Sequence, residues 1–179
     1  KEGGLHADMF DKTTPDLQTA RSQLQRMVES YGASMGQTAS GVVQLETKLV
    51  ATIAGTQVEG TPDYVAGNRL MDLKTGHSKQ HMLQIGAYAL LLDANNVAID
   101  YAEIHRVPRS PNKTHPPVTI ENIDVVTAKL QATKTIQRFH QAITLFSESG
   151  NKDDIAENPN SSLCQKRYCS AWGTSFCTL

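Results

Sequence analysis

Asp63, Asp72 and Lys74 are the residues of this chain whose types and spacing can do chemistry. Asp72-Leu73-Lys74 closes one run of strand-forming residues and Pro62-Asp63 lies in the run before it, with Ala66-Gly67-Asn68 as the turn between them. Side chains alternate along a strand, so Asp72 and Lys74 share a face and Leu73 points to the other, and a hairpin sets Asp63 beside them. Two carboxylates crowded at one point repel each other, and such a pair is tolerated mainly where a divalent cation neutralises it. Oxygen-only ligands favour Mg²⁺ or Mn²⁺. A cation held this way lowers the pKa of a bound water and neutralises charge at a phosphorus centre, while Lys74 positions the water or stabilises the developing charge. An Asp-x-Lys triplet by itself is more often a solvated ion pair on a surface hairpin.

The elements that must position these residues follow from periodicity and turn signals. Leu17, Leu24, Met27 and Val28, with a Thr14-Pro15 start signal and Gly32 and Gly36 near the stop, predict a helix over Asp16 to Met35. From Val42 to Leu73 the texture is rich in Val, Thr and Ile and is broken at Ala54-Gly55 and Ala66-Gly67-Asn68, which predicts three successive antiparallel strands. A helix from Lys79 to Leu92 is apolar on nearly every side except for Gln80, Gln84 and Tyr88, a polar stripe at helical spacing. Gln84 and Tyr88 either satisfy each other or a nearby backbone group, or serve the site. A strand from Val97 to Val107, a proline-rich loop from Pro108 to Pro117 and a short strand from Val118 to Ile120 come next. The last element is a helix from Ile123 to Glu148, whose Ile136, Phe139, Ile143 and Phe146 share one apolar face. Residues 1–150 form the expected core, and residues 151–179 a cysteine-containing tail packed on it.

The bulk properties bound this reading. A chain of 179 residues suits one domain with a real core. With 39% hydrophobic and 20% charged residues it is neither disordered nor a membrane protein. A net charge of -1 neither favours nor excludes nucleic acid, since a local basic surface suffices. The longest apolar-rich stretch, Met82 to Leu92, is far shorter than the roughly 20 residues a bilayer span requires. The chain begins at Lys1 without a methionine or a signal segment, so residues upstream are expected. Its cysteines, Cys164, Cys169 and Cys177, are odd in number and confined to the C-terminal end, which is no disulfide framework and suits a reducing, cytoplasmic compartment. Asn112-Lys113-Thr114 is then an incidental sequon.

The run from Val58 to Val65, containing Gly60, Pro62 and Asp63, together with Leu70-Met71-Asp72-Leu73-Lys74-Thr75-Gly76, resembles the PD-(D/E)xK signature of RecB-type nucleases. Gln84-x-x-x-Tyr88 matches the motif that follows the lysine in that family, where it is associated with DNA binding and active-site organisation. The resemblance implies an α/β, restriction-endonuclease-like fold, a mixed and mainly antiparallel sheet flanked by helices. It implies catalytic roles for Asp63, Asp72, Lys74, Gln84 and Tyr88, with Mg²⁺ or Mn²⁺ held by Asp63, Asp72 and the backbone carbonyl of Leu73. His6, in Gly4-Leu5-His6, resembles an upstream metal ligand, and Glu46 either reaches the site or pairs with Lys48. Gly60 and Gly76 look like backbone positions of close approach or unusual φ. Lys79, with Gln84 and Tyr88, is a candidate for contact with DNA, and His77 and His81 for contact with phosphates.

Cys164-x4-Cys169-x7-Cys177 resembles the C-terminal cysteine cluster of the iron–sulfur branch of RecB-like nucleases. No cysteine precedes Cys164, so a [4Fe–4S] cluster would need a fourth ligand not among these residues, such as one from an upstream segment. Zinc or a vestigial site, and plain thiols or a disulfide, are the other readings. The expected function is a Mg²⁺-dependent exonuclease acting on DNA ends or single strands in bacterial or phage recombination or repair, with accessory proteins as partners. A non-catalytic DNA-binding or assembly subunit and a site-specific endonuclease are the alternatives.

Overall fold

A computed structural model of the protein describes residues 14–35, 43–75, 81–109 and 114–154. Their elements run α1 (Leu17–Met35), β1 (Val43–Leu45), β2 (Leu49–Ile53), β3 (Thr56–Gly60), β4 (Tyr64–Ala66), β5 (Arg69–Lys74), α2 (Met82–Ala94), β6 (Tyr101–Arg106), β7 (Thr119–Ile123) and α3 (Val125–Ser149). A 3-10 turn follows at Lys152–Asp154. Two helices begin on aspartate caps: the Thr19 amide donates to Asp16 at 2.7 Å, and the Thr127 amide to Asp124 at 2.6 Å. Each cap satisfies an amide that the first helical turn leaves without a partner. The same bonds hold both carboxyls below the usual range.

Five strands form one sheet in the order β1-β4-β5-β6-β7, and β2 and β3 form a separate hairpin. In the large sheet only β5 and β6 are parallel, so the chain must cross over between them, and α2 is that crossover. The sheet is mixed and mainly antiparallel. Leu70, Ala102, Ile104 and Ile123 from the strands meet Ile85, Ala89 and Leu92 of α2 and Val125 and Ala128 of α3 in the buried core. Gly86 allows α2 and α3 to cross closely. A Cβ there would lie 2.0 Å from the carbonyl oxygen of Ala128 and 2.9 Å from Ala132 Cβ, which offsets the roughly 1 kcal/mol by which glycine is disfavoured inside a helix. Lys129 Nζ closes the crossing on Asp93 at 2.6 Å.

Where three strands are expected between Val42 and Leu73, the chain forms five. Pro62 has no N–H to add to a ladder, and the backbone from Thr61 to Asp63 separates β3 from β4. Glu46, at φ 45, similarly ends β1 before β2 begins. The turn at Ala54-Gly55 is as expected, with both residues left-handed at φ 49 and 82, the twist that suits a two-residue hairpin.

The chain divides into two compact units, residues 1–53 with 57–133, and residues 54–56 with 134–179. The first holds the five-stranded sheet, α1, α2 and the opening turns of α3. In the second, the His140 ring packs at Gly55, where an added Cβ would lie 3.0 Å from Nε2. The buried residues of α3 are Val125, Ala128 and Ala132, whereas Phe139 and Ile143 are exposed. Of the stripe expected to share one apolar face, Ile136 and Phe146 are half-buried.

Candidate active site

The β4–β5 hairpin, tightened by Gly67 at φ 58, pairs Tyr64 with Met71 and Ala66 with Arg69. Asp63 lies in the bend just before β4, so it is not the strand residue expected from sequence. It is nevertheless held against the Asp-x-Lys segment: its Oδ2 accepts the Leu73 amide at 2.9 Å. Within that segment alternation works as expected. Lys74 Nζ lies 2.7 Å from Asp72 Oδ2, while the Leu73 side chain is exposed.

Asp72 is only 1% exposed, which for a carboxylate demands compensation. Lys74 Nζ meets Oδ2 at 2.7 Å, whereas Oδ1 has no hydrogen-bond partner among the described residues. Burial pushes the Asp72 carboxyl above its ordinary range, Lys74 pulls it back, and the charges of Asp63 and His81 add smaller effects upward and downward. A buried carboxylate of this kind fits a hard divalent cation, which would give Oδ1 a partner. Among the described residues no three His, Cys, Asp or Glu side chains form a group that could hold a metal ion.

Glu46 is exposed in the bend after β1, and its amide donates to the Asp63 carbonyl at 3.3 Å. Its backbone is therefore beside Asp63. Lys48 pairs with Glu59 at 2.8 Å, not with Glu46. On α2, Gln84 Nε2 donates to the Tyr88 hydroxyl at 3.0 Å. The two satisfy each other, and Tyr88 does more: its ring lies against Gly60, where an added Cβ would come within 2.9 Å of Cε1. Gly60 is thus a position of close approach with no left-handed φ, and it couples the α2 stripe to the segment leading into Pro62-Asp63. His81, expected to face phosphates, is only 4% exposed at the start of α2, and its charge acts on Asp72. A buried imidazole is not a phosphate-facing surface group. Its position directly before an apolar helix was the signal for burial.

His6, Gly76, His77, Lys79, Cys164, Cys169 and Cys177 lie outside the described residues. No helix among the described residues is long and apolar enough to cross a membrane.

A family model for the PD-(D/E)XK nuclease superfamily matches residues 5–174 of the chain. Among solved structures, a protein from Eubacterium rectale provisionally named as an exonuclease is similar with a TM-score of 0.58 and 12% identity. The match covers 88% of this chain and 64% of that protein, so this chain spans less than two thirds of its length. At that identity the likeness concerns the fold, and it agrees with the mixed sheet and flanking helices. A second structure, of SSO0001, gives a TM-score of 0.35 at 13% identity over 80% of this chain and 76% of that one. No curated protein matches the chain.

Proposed function

The chain belongs to the PD-(D/E)XK nuclease superfamily, and from that premise we propose that it is a Mg²⁺- or Mn²⁺-dependent deoxyribonuclease, an exonuclease working on DNA ends or single strands. The observation that carries this reading is the buried Asp72 carboxylate, whose Oδ2 meets Lys74 Nζ at 2.7 Å and whose Oδ1 has no partner among the described residues, with Asp63 tied to the intervening Leu73 amide. A chain that kept only a binding role would have little reason to retain so unfavourable a carboxylate.

Asp63 and Asp72 are the residues that would hold the cation, with the Leu73 carbonyl, Glu46 and His6 as further candidates. When bound, a divalent cation there supplies Lewis-acid polarisation of the phosphodiester and lowers the pKa of water at the site. The protein's own part is to orient and exclude. Asp63 is pinned by the Leu73 amide, so its second oxygen is free of that bond and keeps a set direction. Lys74, held at Asp72, places a positive charge where negative charge develops on phosphorus oxygens. Gln84 and Tyr88, bonded to each other and seated on Gly60, stiffen the wall beside the Pro62-Asp63 segment. Recombination or repair in a bacterial or phage-infected cytoplasm is the setting we propose, with accessory proteins as partners and cysteine-bound iron as a further group.

The test uses purified protein and its Lys74→Ala variant with end-labelled single- and double-stranded DNA and a covalently closed circle, in Mg²⁺, Mn²⁺ or EDTA. Metal-dependent loss of linear DNA, abolished in the variant and absent on the circle, is the expected result. Cutting of the circle would instead identify an endonuclease. DNA binding without any cleavage by metal-loaded protein would overturn catalysis in favour of a binding subunit.

A further inference from the structure

The face of the β5–β6 pair opposite Asp72 carries a second polar system, centred on the buried His105. Asp72 registers with Ile104, whereas Met71 registers with Glu103 and Leu73 with His105, so alternation sends Glu103 and His105 to the other side of the sheet. There the Tyr31 hydroxyl of α1 lies 2.7 Å from His105 Nδ1, and the two rings are 5.7 Å apart. His105 Nε2 lies 2.9 Å from Glu103 Oε2, and Arg69 donates to Glu103 Oε1 at 2.7 Å. Arg69 in turn stands 5.7 Å over the Tyr101 ring. His105 is fully buried at 0% exposure.

Hydrogen-bond capacity sets the direction of this chain. An ionised Glu103 only accepts, so His105 Nε2 carries the proton and donates to it. Burial, and then the neighbouring Tyr64 and Glu103, raise the Tyr31 hydroxyl above its ordinary pKa, so it stays protonated and donates to Nδ1. A hydroxyl, an imidazole and a carboxylate in series is also the order of an activated nucleophile. Tyr31, however, is shifted away from phenolate, against that use. The system instead ties α1 to β6 at the level of the residue between Asp72 and Lys74.

We propose that Tyr31, His105 and Glu103 form a clamp that positions the Asp72-Leu73-Lys74 segment from behind, with His105 as its central positioning residue. The proposal rests on the reading of that segment as catalytic. The connection is short. His105 registers directly with Leu73, the Val107 amide donates to the Lys74 carbonyl at 2.9 Å, and the Leu73 amide is the group that pins Asp63. A shift of β6 at His105 therefore reaches both candidate metal-binding aspartates through one strand. Arg69 anchors the far end of β5 to the same Glu103, so the strand is held at both ends.

The test follows amide hydrogen exchange in ¹⁵N-labelled, metal-free protein, comparing wild type with Tyr31→Phe and His105→Gln. Exchange at Leu73 is expected to quicken about five- to tenfold in Tyr31→Phe, the factor that corresponds to loss of one intramolecular hydrogen bond. His105→Gln keeps a donor and an acceptor and recovers part of the protection. The core amides of Ala89 and Leu92 stay as in wild type, and in cleavage assays kcat falls while KM does not. Wild-type exchange at Leu73 in Tyr31→Phe, or equal acceleration at Leu73 and Leu92, would overturn the clamp as a positioning device. If wild-type protein cuts no DNA in Mg²⁺ or Mn²⁺, the nuclease reading fails, and the Leu73 comparison still decides the clamp.

Discussion

The two faces of the β5–β6 pair bury polar groups of opposite kinds. On one, Asp72 is almost wholly enclosed, with Lys74 at one oxygen and no partner for the other among the described residues; on the other, Tyr31, His105, Glu103 and Arg69 pass hydrogen bonds from one to the next. Both faces belong to the same few residues of backbone, so the difference comes from what packs against each: α2 and α3 on one, Tyr31 of α1 on the other. A satisfied network rigidifies and specifies, whereas a buried charge left short of partners is unfavourable unless something else completes it. The contrast separates the groups that hold the strand pair from the groups that the strand pair holds ready.

The sharpest way to break this comparison is Asp72→Asn. Cleavage is expected to fall on the order of 10³-fold, the scale seen when one key electrostatic group leaves an active site. Stability moves the other way. The folded Asp72 pKa is raised, so the proton is bound more tightly by the folded chain. Its contribution is fully present below the unfolded pKa near 3.8 and lost as pH rises through the folded value. At neutral pH the neutral amide removes that burden, and scanning calorimetry of metal-free protein should show a higher Tm, by about 2–4 °C for each kcal/mol relieved. Adding Mg²⁺ should stabilise wild type and leave the variant unmoved. A lower Tm in the variant would mean that the carboxylate is already satisfied.

Glu103→Ala tests the other face and should have the opposite sign. It leaves the His105 Nε2 proton and Arg69 without their acceptor, and urea unfolding should show a loss of about 1–3 kcal/mol. The smallest effect is expected at a site belonging to neither face. Asp124→Asn retains a helix cap of nearly equal quality, so the Tm at pH 7 should hardly change. The Asp124 carboxyl is depressed, and its contribution is present above the unfolded pKa and lost as pH falls through the folded one. Acid titration of stability should therefore be slightly shallower in the variant.

Much of the site was legible because it depends on local rules. Alternation alone puts Asp72 and Lys74 on one face, and the turn at Gly67 brings Asp63 near. Gln84 and Tyr88 are one helical turn apart, so their contact was implied by spacing. The bend at Pro62-Asp63 was less visible, because a single proline either ends a strand or occupies its edge, and only the neighbouring strand decides. His81 was read as a candidate for contact with phosphates because it follows the lysine motif closely, yet packing buries it. Gly86 gave no signal of its own. Its role exists only through Ala128 and Ala132, more than forty residues downstream.

By itself the sequence indicated the helices, since hydrophobic period and turn residues act over a few residues at a time, and its motif resemblance implied the α/β class and the candidate catalytic set. Tertiary structure decided which carboxylate is buried, where α2 and α3 cross, and that Tyr31 meets His105 across 74 positions of chain. Burial and hydrogen-bond satisfaction are properties of what surrounds an atom, and those surroundings come from parts of the chain that no local pattern brings together.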